Sequence, residues 1–96
     1  MSIKQQNEDE IRVQIFKALS DETRLNIIRL LRDANREISC GEIGEKIIIT
    51  KSTASYHFKI LREAGLTSTR KEFQNKFVRL RLDTFEMFLP NFLDSL

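Results

Sequence analysis

Between Thr50 and Gly65 the chain reads TKSTASYHFKILREAG. At a helical period of about 100° per residue, Ala54, Phe58 and Leu61 fall on one stripe and Ser52, Ser55, Tyr56 and Lys59 on the opposite one. A face of small hydroxyls, a phenol and an ammonium can both donate to and accept from base edges and can reach phosphates. It offers no nucleophile with a base beside it and no cluster of metal ligands. His57 lies about 60° from the apolar stripe, where it either packs against a neighbouring helix or reaches a phosphate. No carboxylate or serine spacing around it suggests a triad, so a structural or backbone-contact role is preferred to a catalytic one. Tyr56 is the polar aromatic of this face and is expected to contact a base or a phosphate. The stretch therefore reads as a DNA-recognition helix spanning about 51–64.

Such a helix needs defined ends. Thr50 is a good N-cap and Gly65 a good residue for the left-handed position after the C-terminus, with Leu66 folding back on Leu61. Upstream, residues to about Asn7 read as a frayed terminus, followed by a first helix with Ile11, Ile15, Ala18 and Leu19 on one face. Ser20 is placed to cap a second helix, with Asp21 and Glu22 in its first turn and Leu25, Ile27, Ile28, Leu30 and Leu31 along a broad inner side. Ile38 offers a short strand. Ser39 and Glu42 have capping-box spacing for a short third helix with Ile43 and Ile47 inward and Gly44 allowing close packing. The turn from that helix to Thr50 is short enough for a helix-turn-helix.

After Gly65 the period changes from helix to strand. Leu66 to Lys71 and Lys76 to Leu82 read as a hairpin, with Val78, Leu80 and Leu82 inward and Arg79 and Arg81 outward. At its tip, Glu72 to Asn75, Asn75 is the residue best suited to positive φ. Asp83 and Glu86 have capping-box spacing for a last helix carrying Phe85, Phe88, Leu89, Phe92, Leu93 and Leu96, which Pro90 either kinks or restarts. Six large apolar residues in so short a tail exceed what a small monomer covers. Ile11, Ile15, Phe85, Phe88, Leu89, Phe92 and Leu93 are therefore expected to form a homodimer seam from terminal helices at about 8–19 and 83–96.

The charge is distributed unevenly. Residues 50–82 contain eight basic residues and two acidic ones, a local +6 within an overall +2, which leaves −4 on the remainder. Positive charge thus sits on the reading helix and the hairpin after it, which favours a polyanionic partner. The 96 residues suit one domain. No run approaches the roughly 20 apolar residues of a membrane helix, and the start MSIKQQNEDE has no signal-peptide pattern, so a cytoplasmic protein off the membrane is expected. Cys40 has no partner for an internal disulfide. It reads as a plain, partly buried thiol in preference to a redox sensor.

The blocks ALSDETRLNIIRLL at 18–31 and KSTASYHFKILREAGL at 51–66, and RKE followed five residues later by FVRL, resemble the ArsR-type winged helix-turn-helix transcription regulators. The resemblance spans most of residues 11–82. It implies a mainly α fold with a small hairpin wing, about five helices and two to three strands over 1–96. It further implies a homodimer and repression of a double-stranded operator, relieved by an inducer that the sequence does not identify. Carried onto this chain, Thr50, Lys51, Ser52, Thr53, Ser55, Tyr56, His57 and Lys59 form the helical DNA contact, and Arg70, Lys71, Gln74, Asn75 and Lys76 the wing contact.

Members that sense metals through the third helix carry a Cys-x-Cys pair where this chain has Ser39 and Gly41. Its tail has no histidine to partner Asp83, Glu86 and Asp94, so neither metal nor cofactor is expected. The glycines usual in the helix-turn-helix turn and at the wing tip are Ile48 and Phe73, which leaves both turn conformations open because a side chain at positive φ is strained. A protein- or RNA-binding winged helix is the alternative function; it would present an apolar or acidic face on the fourth helix. Enzyme activity finds no Gly-rich phosphate loop or carboxylate pair to support it.

Overall fold

The computed structural model describes residues 3–96, with side-chain surroundings from residue 6 onward. Its elements are α1 (Ile3–Leu19), α2 (Glu22–Ala34), β1 (Ile38–Ser39), α3 (Cys40–Ile47), α4 (Lys51–Glu63), β2 (Thr67–Glu72), β3 (Asn75–Leu80), α5 (Leu82–Phe88) and α6 (Phe92–Ser95). The helices pack on an antiparallel sheet of order β1-β3-β2. This is the winged helix-turn-helix architecture, with six helices because the tail divides in two.

α1 starts at Ile3, so residues 3–7 are helical where a frayed end was expected; Met1 and Ser2 lie outside the described residues. α2 is capped by Asp21 and not by Ser20: the Asp21 carboxylate accepts from the Arg24 N–H at 3.0 Å, whereas the Ser20 hydroxyl donates back to the Lys17 carbonyl. That backbone hydrogen bond, more than any other influence, holds the Asp21 carboxyl below its ordinary pKa. At α3 the Ser39 hydroxyl accepts from the Glu42 N–H at 3.1 Å, but Glu42 does not complete the capping box and pairs with Arg36 instead. A Cβ added at Gly44 would meet nothing within 4 Å, so this glycine does not mediate the close helix approach expected of it.

Ile27, Ile28 and Leu31 of α2, Ile43 of α3, Leu61 of α4 and Leu66 and Val78 around the sheet form the buried centre. Ile15 of α1 is completely buried and Phe85 of α5 nearly so. Both were assigned to a dimer seam and instead belong to the monomer core, Ile15 because α1 packs on α2 and α4, and Phe85 as part of the same buried cluster with Phe92 packed against it. Leu82, expected on the inner side of β3, is exposed at the start of α5.

The last helix is broken, not bent. Pro90 has no N–H to donate and would clash with the preceding turn. α5 accordingly ends at Phe88, Asn91 takes a left-handed conformation at φ 68°, and α6 restarts at Phe92. The reversal stacks Phe92 on Phe85, with ring centroids 6.3 Å apart. It also lets Arg32 donate to the Leu93 carbonyl. The capping box expected at Asp83 and Glu86 is absent; Asp83 instead pairs with Arg81 at 3.0 Å.

Besides Asn35 and Asn91, whose residue type tolerates it, two bulkier residues occupy left-handed positions that favour glycine. Ile48, in the turn between α3 and α4, has φ 56° and is 87% exposed; Phe73, at the wing tip, has φ 54° and is 90% exposed. A left-handed conformation costs a side-chain-bearing residue roughly 1–2 kcal/mol, and a β-branched one tends to the upper end. Ile48→Gly should consequently raise stability by about 1 kcal/mol even after the extra unfolded-state entropy of glycine. Urea denaturation checks this; an unchanged or lower midpoint would show that the turn holds Ile48 without strain.

Candidate nucleic-acid interface

α4 begins where the sequence places it. The Thr50 hydroxyl oxygen accepts from the Thr53 N–H at 3.2 Å and its proton points to the Thr53 hydroxyl at 2.8 Å, so both threonines serve the cap. The helix ends in a Schellman arrangement: Gly65, at φ 78°, donates to the Arg62 carbonyl and Leu66 to the Leu61 carbonyl, each at 3.0 Å. Ala54, Phe58 and Leu61 are buried, while Lys51, Ser52, Ser55, Tyr56 and Lys59 are exposed, Tyr56 at 60%. Lys59 lies 4.0 Å from Glu63, an exposed pairing too weak to hold the ammonium in place.

His57 takes the first of its two alternatives, packing against a neighbouring helix, and not the phosphate contact also expected of it. It is buried, and its Nδ1 accepts from Arg24 Nη1 at 3.1 Å, which turns the ring toward α2. A guanidinium only donates, so Nδ1 must be unprotonated and the neutral ring carries its proton on Nε2. Asp21 Oδ2, at 3.9 Å, is too far to hydrogen-bond the ring. The same buried Arg24 donates from Nε to the Ala18 carbonyl at 2.6 Å and from Nη2 to the Lys17 carbonyl at 3.3 Å. One side chain of α2 thus ties the C-terminus of α1 to the middle of α4 and fixes the attitude of α4. Sequence reasoning missed Arg24, whose side-chain partner His57 is 33 residues away along the chain; the signal was a cation on the apolar side of α2.

The wing splits by strand parity. Thr67↔Leu80, Thr69↔Val78 and Lys71↔Lys76 are successive rungs on one face, and Ser68↔Arg79, Arg70↔Phe77 and Glu72↔Asn75 lie on the other. Lys71 and Lys76 extend the core-facing side beyond the core into solvent. Arg70 is on the opposite face, bonded to Glu37 and Glu72, with its guanidinium 4.7 Å from the centroid of Phe77. Those carboxylates raise the Arg70 pKa beyond its already high value, and Arg70 holds the Glu37 carboxyl below its ordinary value. Arg70, expected among the wing contacts, is therefore a brace between β2 and the residue preceding β1. Asn75 closes the hairpin opposite Glu72 and Phe73 takes the positive φ, so the expectation for Asn75 is corrected. Gln74 is exposed at the tip.

Among the described residues, Lys51, Arg62, Lys71, Lys76 and Arg79 have no carboxylate within 4.0 Å. Arg79 donates instead to the neutral Ser68 hydroxyl at 3.1 Å. Unneutralised cations thus lie along α4 and on the wing. A cleft of about 390 Å³ between α2, β3 and α6, lined among others by Arg32, Glu37, Arg79 and Leu93, contains no nucleophile with an adjacent base. No three His, Cys, Asp or Glu side chains come together to hold a metal among the described residues. Burial pushes the Cys40 thiol pKa up, with Lys76 opposing weakly, so this cysteine is not an activated thiolate. No described helix is long and apolar enough to cross a membrane.

Residues 9–70 match a family model described as a helix-turn-helix domain. An uncharacterized HTH-type transcriptional regulator of Bacillus subtilis, YceK, is 64% identical over 95% of this chain and 91% of its own length. The chain belongs to the ArsR-type helix-turn-helix regulators. The transcriptional activator HlyU of Vibrio cholerae is 40% identical over 71% of this chain and 61% of its own length. The transcriptional repressor SdpR of Bacillus subtilis is 36% identical over 73% of each. Among solved structures, the homodimeric winged helix-turn-helix DNA-binding domain of a possible ArsR-family regulator from Mycobacterium bovis superposes with a TM-score of 0.79. It is 25% identical and covers 92% of this chain and 81% of its own. As an ArsR-type member, the chain is a DNA-binding transcription regulator and not an enzyme.

Proposed function

We propose that this ArsR-type regulator is a cytoplasmic homodimer that represses transcription by occupying an operator, with α4 in the major groove and the wing on the adjacent backbone or minor groove. The observation that carries this reading is the exposed face of Ser52, Ser55, Tyr56 and Lys59, bracketed by unpaired cations at Lys51 and Arg62 and on the wing at Lys71 and Lys76. The hydroxyls and the phenol contact base edges; the wing lysines contact phosphates.

The dimer seam is revised from the sequence expectation. Ile11, Val13 and Phe16 are exposed on α1 and Met87 on α5, beside half-buried Phe88, Leu89, Phe92 and Leu93. α1 thus carries apolar residues both on the side that meets the core and on an outer side that meets solvent in the monomer, and a second copy is the proposed cover. The homodimeric Mycobacterium bovis domain supports this assembly. A two-fold dimer sets two reading helices about one DNA turn, ~34 Å, apart. Repression is assigned because a dimer on such a site obstructs any promoter it overlaps, and SdpR is named a repressor.

A gel shift on the promoter region upstream of its own gene, followed by selection from random duplexes, tests the reading. Recovery of a two-fold symmetric site supports it, and binding indifferent to sequence opposes it. On that site Lys76→Ala should weaken operator and random duplex alike and flatten the slope of log affinity against log salt by about one unit, since one fewer counterion is released. A selective loss on the operator would mean that Lys76 itself reads bases and does not contact a phosphate.

A further inference from the structure

Phe73 is 90% exposed at the very tip of the wing and is held at φ 54°. Both features are unfavourable in the isolated chain: the ring is hydrated, and the backbone is in a region that side-chain-bearing residues avoid. Directly behind it Lys71 and Lys76 face one another across the hairpin. Opposed like charges destabilise a strand pair, and among the described residues neither lysine has a carboxylate partner. Gln74, the other residue of the two-residue turn, is exposed beside the ring. An apolar tip, an amide next to it and two ammonium groups set one rung back all gain from one environment: a groove with phosphates on its walls and hydrogen-bond acceptors on its floor.

We infer that Phe73 is a minor-groove wedge, entering against a base step while Lys71 and Lys76 hold the flanking phosphates and Gln74 meets the acceptors of A·T pairs. This rests on the DNA-binding reading above and adds to it a deformation of the duplex and a sequence preference that α4 does not supply. Aromatic and aliphatic side chains inserted between base pairs partly unstack them and bend the duplex away from the inserted side. Pyrimidine–purine steps such as TA and CA yield most readily, so the wing should favour one of these steps at the position it reaches and disfavour a stiff A-tract.

The test uses the full chain, the selected operator labelled at both ends for energy transfer, and a second operator with an A-tract at the wing position. The wild type should shorten the end-to-end distance and bind the flexible operator roughly tenfold more tightly than the A-tract version. Phe73→Gly should abolish both the shortening and the discrimination while leaving unchanged the penalty for altering a base pair under α4. It should also raise the thermal midpoint by several degrees, because glycine relieves the left-handed backbone. Phe73→Leu, which keeps an apolar wedge, should retain most of the bend. Wild-type binding to a straight duplex, or a Phe73→Gly variant that bends and discriminates as the wild type does, would overturn the wedge and leave the function of α4 standing. Absence of any selected operator would instead remove the reading on which the wedge depends.

Discussion

Replacing Phe16 with glutamate is expected to yield a folded monomer that binds its operator at least roughly 100-fold less tightly than the wild type. Phe16 is 55% exposed on the outer side of α1, so a carboxylate there costs the isolated chain little. Placed in a two-fold seam, it would appear twice near the symmetry axis, and a buried, unpaired charge prevents association. The loss on DNA then follows from geometry. Two linked reading helices gain about 10²–10⁴ in apparent affinity over one, because the second half-site is met at high effective concentration. Sedimentation at micromolar protein reads the assembly and circular dichroism the fold. A Phe16→Glu variant that remains dimeric would place the seam elsewhere. The same experiment on Ile15 would not be informative, because that residue is in the monomer core.

Arg24→Ala should reduce stability by about 2–3 kcal/mol, since it leaves the buried Ala18 carbonyl and His57 Nδ1 without their donor, while the Lys17 carbonyl keeps its bonds from Ser20. For a domain of this size that corresponds to a fall in thermal midpoint of roughly 10 to 20 °C. Operator affinity should fall further than the folded fraction accounts for, because α4 loses the connection that orients it against α1 and α2. Measured at a temperature where the variant is fully folded, unchanged affinity would mean that Phe58 and Leu61 alone set the position of α4. A loss below about 0.5 kcal/mol would mean that Arg24 is solvated in place and not a strut.

The elements most legible in the sequence were those fixed by local rules. The N-cap at Thr50, the Schellman ending at Gly65 and the alternation along β3 each depend on residues within five positions of one another, and the structure has the first two in full and the third as far as Leu80, with Leu82 exposed. Periodicity also separated the buried from the exposed stripe of α4. It did not say which apolar residues of α1 and α5 meet the same chain and which are left for a partner. Ile15 and Phe85 went inward while Val13 and Phe16, not singled out, stayed outside. Arg70 and Lys71 look equivalent in a charge count, yet adjacent strand residues point to opposite faces, and only Arg70 has carboxylate partners. Arg24, the partner of His57, and Glu37, one of the two carboxylates on Arg70, each lie 33 residues away along the chain and carry no sequence signal. At the wing tip propensity favoured Asn75 for the left-handed position, but the two-residue turn makes Asn75 the first residue of β3 and leaves Phe73 to adopt it.

Affinity of the Tyr56→Ala variant for operator and for random duplex, each across a salt series, tests most directly the claim that α4 reads base edges. Tyr56 is exposed on the reading face and is not needed by the core. Its removal should therefore cost about 1–3 kcal/mol on the operator and little on random DNA, lowering the specificity ratio without changing the salt slope. Equal losses on both duplexes, or no loss on either, would contradict the assignment of base reading to this face of α4.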